Sequence, residues 1–81
     1  MHWYLYIVQC SDKSLYTGIS LDVEKRVAKH NSNTGAKYVR GKLPVLLVYS
    51  ERLIDQQAAM KREREIKKWS KARKLQLISG R

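Results

Sequence analysis

Hydrophobic and polar positions alternate with a period of two along WYLYIVQC, residues 3–10. The run is aromatic and β-branched, which favours a strand. Its alternation sends Trp3, Leu5 and Ile7 to one face and Tyr4, Tyr6 and Val8 to the other. SDKS has turn composition, and LYTGIS (residues 15–20) reads as a second strand, so the two predict an antiparallel hairpin. Gly18 inside that strand predicts a bulge or the close approach of another group to the backbone. The period then changes. Asp22 is placed to cap a helix through VEKRVAKHN, with Val23 and Val27 as its buried stripe. His30 projects about 20° from Val23, and Arg26, four residues before His30, shares its face. Two polar residues therefore lie on or beside an inward face.

NSNTGAKYVRGKLP is a long polar loop carrying Lys37, Tyr38, Arg40 and Lys42. VLLVYS (residues 45–50) is nearly continuous in apolar character and predicts a central strand buried on both faces. Pro44 stands at its start, where proline is tolerated. Asp55 predicts the cap of a second helix over residues 56–69, with Ala59, Ile66 and Trp69 on its buried side. Glu63 projects about 40° from Ala59 and about 60° from Ile66. A carboxylate so near a core calls for a partner or a metal. Ser70 predicts the cap of a last short helix, with Ala72, Leu75 and Ile78 facing in and Gly80 as its stop. The order β-β-α-β-α-α predicts an α+β fold, a small three-stranded antiparallel or mixed sheet flanked by helices. No repeat or linker interrupts it, so one domain is expected over residues 1–81.

Charge adds what the pattern lacks. Seventeen Lys and Arg face seven Asp and Glu, a formal net charge of +10 that favours an anionic partner, nucleic acid above all. The single cysteine, Cys10, permits no intramolecular disulfide and no zinc-type spacing; it reads as a small buried apolar residue. No apolar run is long enough to span a membrane, and no signal peptide is evident. A reducing, cytoplasmic setting is the expectation.

Six residues stand out against this scaffold: Tyr6, Tyr16, Arg26, His30, Tyr38 and Glu63. Phosphodiester cleavage calls for a nucleophile-activating base, a cation that stabilises developing charge and often a metal. These side chains are able to supply all three. Each also has a plain structural reading. Tyr6 and Tyr16 suit a cross-strand aromatic pair, Arg26 suits a helix edge, and His30 suits a hydrogen-bonded core margin. Glu63 suits a surface pair with Lys67, four residues on. Tyr38 suits either base stacking or pinning its loop.

YLY, followed after a turn by YTG, then DVEKRVAKH, GAKYVR and REREIKKW, resembles the GIY-YIG nuclease domain, most closely its small stand-alone bacterial group. The resemblance covers nearly the whole chain, with the motifs in order. It implies that Tyr6 and Tyr16 are the paired tyrosines of the two name motifs and that Gly18 is the closing glycine. It implies that Arg26 and His30 are the helix residues facing them, and that Glu63 is the single ligand of Mg²⁺ or Mn²⁺. Tyr38 matches a further loop tyrosine. Tyr4 stands where the first motif has its glycine, Thr17 where the second has isoleucine, and the tail has no asparagine to match the one many members carry. The resemblance implies a metal-dependent DNA endonuclease, in repair, recombination or nucleic-acid turnover. Arg26 would hold a phosphate oxygen, Tyr16 would act as general base, and Tyr6 and His30 would support it. Lys37, Arg40, Lys42, Lys67 and Lys71, with further cations of the C-terminal helices such as Arg62, are expected to grip phosphates without reading sequence. No base-reading module accompanies them, so structured DNA or a partner protein is an expected source of selectivity. The alternatives are a non-catalytic nucleic-acid-binding module on the same fold, or a basic scaffold that docks on an acidic protein.

Overall fold

The computed structural model describes residues 2–80. Its hairpin forms as the alternation requires. β1 (Trp3–Gln9) and β2 (Leu15–Ser20) pair antiparallel, with Tyr6 opposite Gly18 and Val8 opposite Tyr16. The turn closes because the Asp12 carboxylate accepts from the Ser14 N–H and Lys13 adopts a left-handed backbone at φ 72°. β3 (Leu46–Leu53) pairs antiparallel with the other side of β1, giving the strand order β2-β1-β3.

The sheet is therefore wholly antiparallel, and its central strand is β1. The apolar run VLLVYS predicts that place for the third strand, and the structure corrects this. Leu5, Tyr6, Ile7 and Val8 are all buried, whereas Leu46 is 64% exposed and Leu47 43% exposed. The register slips between Ile7 and Val8: Ile7 faces Tyr49, Val8 faces Leu47, and Val48 is the extra residue. Such a bulge breaks the period-two alternation. It makes an edge strand read as a continuously apolar one.

Helices cover both faces of the sheet. α1 (Val23–Asn31) sets Val23 and Val27 on the face of Tyr6 and Val8. α2 (Gln56–Lys67) and α3 (Lys71–Ser79) lie on the opposite face, where Ile66, Trp69, Leu77 and Ile78 close over Leu5 and Ile7. The three predicted caps form: Asp22 accepts from Lys25 N–H, Asp55 from Ala58 N–H and Ser70 from Arg73 N–H, at 3.1, 2.8 and 3.2 Å. Gly80 ends α3 at φ 77°. α2 stops at Lys67, so Trp69 packs from the link that follows it rather than from the helix. In α3, Ala72 and Leu75 are exposed, and Leu77 takes the inward place expected of Leu75. Only the last turn of this short helix reaches the core. Among the described residues, no helix is long and apolar enough to cross a membrane.

Candidate active site

The hairpin and α1 assemble a cluster of three rings. Tyr6 from β1, Tyr16 from β2 and His30 from the end of α1 meet with centroids 5.5–6.4 Å apart. Tyr6 and Tyr16 are not directly opposed in the ladder; they sit on a diagonal, because Gly18 occupies the place opposite Tyr6. A Cβ at Gly18 would lie 2.6 Å from the Tyr6 phenolic oxygen. Gly18 is thus the floor on which the Tyr6 ring lies. This is the close approach that a glycine inside a strand predicts.

His30 is fully buried, and both ring nitrogens are engaged. Nδ1 accepts the Ala36 N–H at 3.3 Å, and Nε2 lies 2.8 Å from the Tyr6 hydroxyl. An Nδ1 that accepts a backbone N–H carries no proton, so the neutral ring holds its proton on Nε2 and donates it to Tyr6. The Tyr6 hydroxyl is then an acceptor toward His30, and its own proton is not used in that bond. Electrostatics agree. Burial, with the positive charges of Arg26 and Lys29, holds the His30 pKa below its usual value. Burial, reinforced by the neighbouring Tyr16, raises the Tyr6 pKa well above that of an ordinary phenol, against the lowering effect of Arg26. Tyr6 is a neutral donor and not a base.

The remaining predicted residues fall around these rings. Arg26 is half-buried, close enough for its charge to act on both Tyr6 and His30, and among the described residues it is in no ion pair. Tyr38, from a short 3₁₀ turn (Lys37–Val39), stacks on Tyr16 at 5.8 Å with the planes 25° apart. Lys42 stands 3.8 Å from the Tyr38 centroid and pairs with Asp12 at 3.7 Å. Glu63 comes from α2 on the other face of the sheet, and its charge also reaches Tyr6. The Glu63 carboxylate pairs with the Lys67 ammonium at 3.2 Å, the surface contact that i,i+4 spacing predicts. That ammonium in turn lies 5.9 Å from the Tyr16 centroid.

Other cations are drawn elsewhere. Arg40 Nε donates to Gly35 O at 3.2 Å, and Lys71 Nζ donates to Lys13 O at 2.9 Å. Lys37 is exposed beside Tyr38. Arg62, expected among the phosphate-gripping cations, is instead half-buried and bonded to Glu51 at 2.9 Å and Glu65 at 3.7 Å. Glu51 sits on the neighbouring edge strand, and this pairing was hidden by its distance along the chain.

Two positioning residues escape sequence reasoning. A Cβ on Gly35 would collide with His30 Nδ1, so this glycine lets the loop close over the imidazole. The Asn31 amide grips Val45 twice, accepting its N–H at 2.7 Å and donating to its C=O at 3.1 Å. It ties the end of α1 to the entry of β3. A glycine and an asparagine in a polar loop look like ordinary turn residues, and neither contact is local.

A family model for the GIY-YIG catalytic domain matches residues 2–76. The chain belongs to the GIY-YIG family. A UPF0213 protein of Staphylococcus saprophyticus is 54% identical over 76 residues, which cover 94% of this chain and 93% of that one. A UPF0213 protein of Natronomonas pharaonis is 50% identical over 76 residues, covering 94% and 89%. The solution NMR structure of a UPF0213 protein from Bacillus halodurans superposes with a TM-score of 0.63 at 44% identity, covering 98% of this chain and 84% of that one. That of an E. faecalis protein gives 0.67 at 34%, covering 99% and 85%. GIY-YIG domains are typical of endonucleases, which act on nucleic acid and commonly use a divalent metal.

The donor set decides what metal this GIY-YIG site suits. Among the described residues, no group of three or more His, Cys, Asp and Glu comes together. His30 has no free nitrogen, and Cys10 is buried in the core. Glu63 is left as a lone, partly accessible carboxylate. One hard oxygen donor would fit a hard divalent cation rather than the closed nitrogen–sulfur cage of zinc.

Proposed function

We propose that the protein is a divalent-metal-dependent endonuclease that hydrolyses DNA phosphodiester bonds in the cytoplasm. The observation that carries this reading is the directed chain Ala36 N–H to His30 to Tyr6, which leaves a neutral phenol donor beside a second, more accessible phenol and the Arg26 guanidinium, in no ion pair among the described residues. A packed core asks for no such convergence.

Arg26 holds a non-bridging phosphate oxygen, which a planar guanidinium suits. Tyr6 donates its free proton to the same phosphate, held in place by His30 and Gly18. Tyr16 takes the proton of the attacking water as that water's oxygen bonds to phosphorus; the bond to the leaving oxygen breaks, and that oxygen is protonated from solvent. Arg26, Lys67 and a metal would place positive charge beside that proton transfer. Glu63 would hold Mg²⁺ or Mn²⁺, which when bound supplies positive charge to the scissile phosphate and the departing oxygen. Tyr38 shields one face of Tyr16 and offers a ring to a flanking base. Lys37, Arg40, Lys42, Lys67 and Lys71 contribute phosphate attraction that reads no sequence. Selection among sites then falls to structured DNA or to a partner protein, in a setting of repair, recombination or nucleic-acid turnover.

The test is incubation with labelled single-stranded, duplex and branched DNA in Mg²⁺, Mn²⁺ or EDTA. Metal-dependent cuts are the expected result. Tight, salt-sensitive binding without cuts in any of them would favour the binding-module reading.

A further inference from the structure

A cavity of about 420 Å³ opens beside the ring cluster, lined by Leu15, Tyr16, Thr17, Tyr38, Lys67 and Lys74. Its two cations differ. Lys74 is half-buried and, among the described residues, is in no ion pair. Lys67 is shared: its ammonium lines the cavity near Tyr16 and at the same time neutralises Glu63 at 3.2 Å. Lys67 is half exposed, and the carboxylate it covers is only 20% exposed. A lysine is a mobile point charge on a flexible stem and re-aims easily. A phosphate entering the cavity finds two ammonium groups, one of which is held only by a solvent-screened ion pair.

We infer that Lys67 and Lys74 form a phosphate subsite beside the scissile position, and that its occupation draws Lys67 off Glu63 and so opens the carboxylate to the metal. The inference rests on the nuclease reading of the same site. Without nucleic acid, Lys67 competes with the cation for Glu63, by occupying its oxygen and by like-charge repulsion. With nucleic acid, a singly charged phosphodiester takes up the Lys67 ammonium and relieves that competition. Metal and nucleic acid then strengthen each other's binding, because coupling between two ligands is reciprocal. The device keeps the metal site quiet until substrate is present.

The test measures Mn²⁺ affinity by titration calorimetry, with and without a short DNA oligonucleotide carrying non-hydrolysable phosphate linkages. It compares wild type with Lys67→Met, Lys74→Met and Glu63→Gln. Both lysine variants should bind the oligonucleotide more weakly in EDTA. In the absence of oligonucleotide, Lys67→Met should bind Mn²⁺ roughly two- to five-fold more tightly than wild type, the range an exposed ion pair provides. The tightening that the oligonucleotide brings should shrink by the same factor. Lys74→Met should show neither change. Equal Mn²⁺ tightening in both lysine variants would reduce the effect to general charge and overturn the coupling, as would no tightening in Lys67→Met. Unaltered oligonucleotide binding in both would overturn the subsite. Mn²⁺ binding that survives Glu63→Gln intact would instead overturn the metal assignment on which the inference stands.

Discussion

The Tyr6 hydroxyl lies 2.8 Å from His30 Nε2, in a cluster where His30 is fully buried and Nδ1 is already committed to the Ala36 N–H. Tyr6→Phe removes the acceptor that Nε2–H has among the described residues. A buried donor left unpaired costs about 1–3 kcal/mol, so the melting temperature should fall along with the cleavage rate. Thermal unfolding by circular dichroism checks the first effect. An unchanged melting temperature would mean that the imidazole proton sits elsewhere.

The same imidazole makes stability depend on pH. Its pKa is lower in the folded protein than in the unfolded chain, so below about pH 6.5 the unfolded state takes up a proton that the folded state refuses. Stability from this group is complete above that pH and declines as pH falls toward the depressed folded value. The Asp12 pKa is lowered by its bonds to Ser14, and its contribution is lost only in the more acidic carboxylate range. Melting temperature should therefore drop as pH falls below about 6.5 in wild type, and His30→Gln should flatten that drop.

Gly18→Ala drives a methyl group into the Tyr6 ring, 2.6 Å from its oxygen and 2.7 Å from the carbon that bears it. Both partners are buried strand residues, so neither gives way freely. Overpacking of this kind costs about 1–3 kcal/mol, and the ring must tilt off His30. We expect loss of stability together with loss of cleavage. A fully active Gly18→Ala would show that the position of Tyr6 does not matter to the chemistry.

Arg26 separates rate from affinity. Arg26→Ala should lower the single-turnover rate by at least about a hundred-fold, with a much smaller loss of DNA affinity, because many other cations remain. Arg26→Lys should restore little, since the bidentate fork is gone. Equal losses in rate and affinity would make Arg26 a phosphate anchor only. Affinity itself should fall with salt at a log–log slope of roughly 0.9 per phosphate contacted.

Much of this architecture is legible in the sequence because local rules act locally. Asp22, Asp55 and Ser70 cap their own helices, the hairpin alternates, and His30 follows the stripe set by Val23 and Val27. The place of β3 was not legible, since a bulge at Val48 mimics the apolar continuity of a central strand. Nor was the inward side of α3, where Leu77 and not Leu75 reaches the core. In the site, the residue types and their order were readable, but the proton arrangement was not. It depends on Gly35 and Ala36 folding back over His30. The pairing of Glu63 with Lys67 was visible as i,i+4 spacing, whereas the approach of Lys67 to Tyr16 was not, because it crosses from one face of the sheet to the other.

Tyr16 and Glu63 carry the central claim. Cleavage of labelled DNA should be followed in Mg²⁺, in Mn²⁺ and in EDTA for wild type, Tyr16→Phe and Glu63→Gln, each first shown to be folded. Wild type should cut only with metal, and both variants should lose at least about a hundred-fold in rate, the low end of what a general base contributes. Wild-type rates in either variant, or cutting in EDTA, would contradict the account.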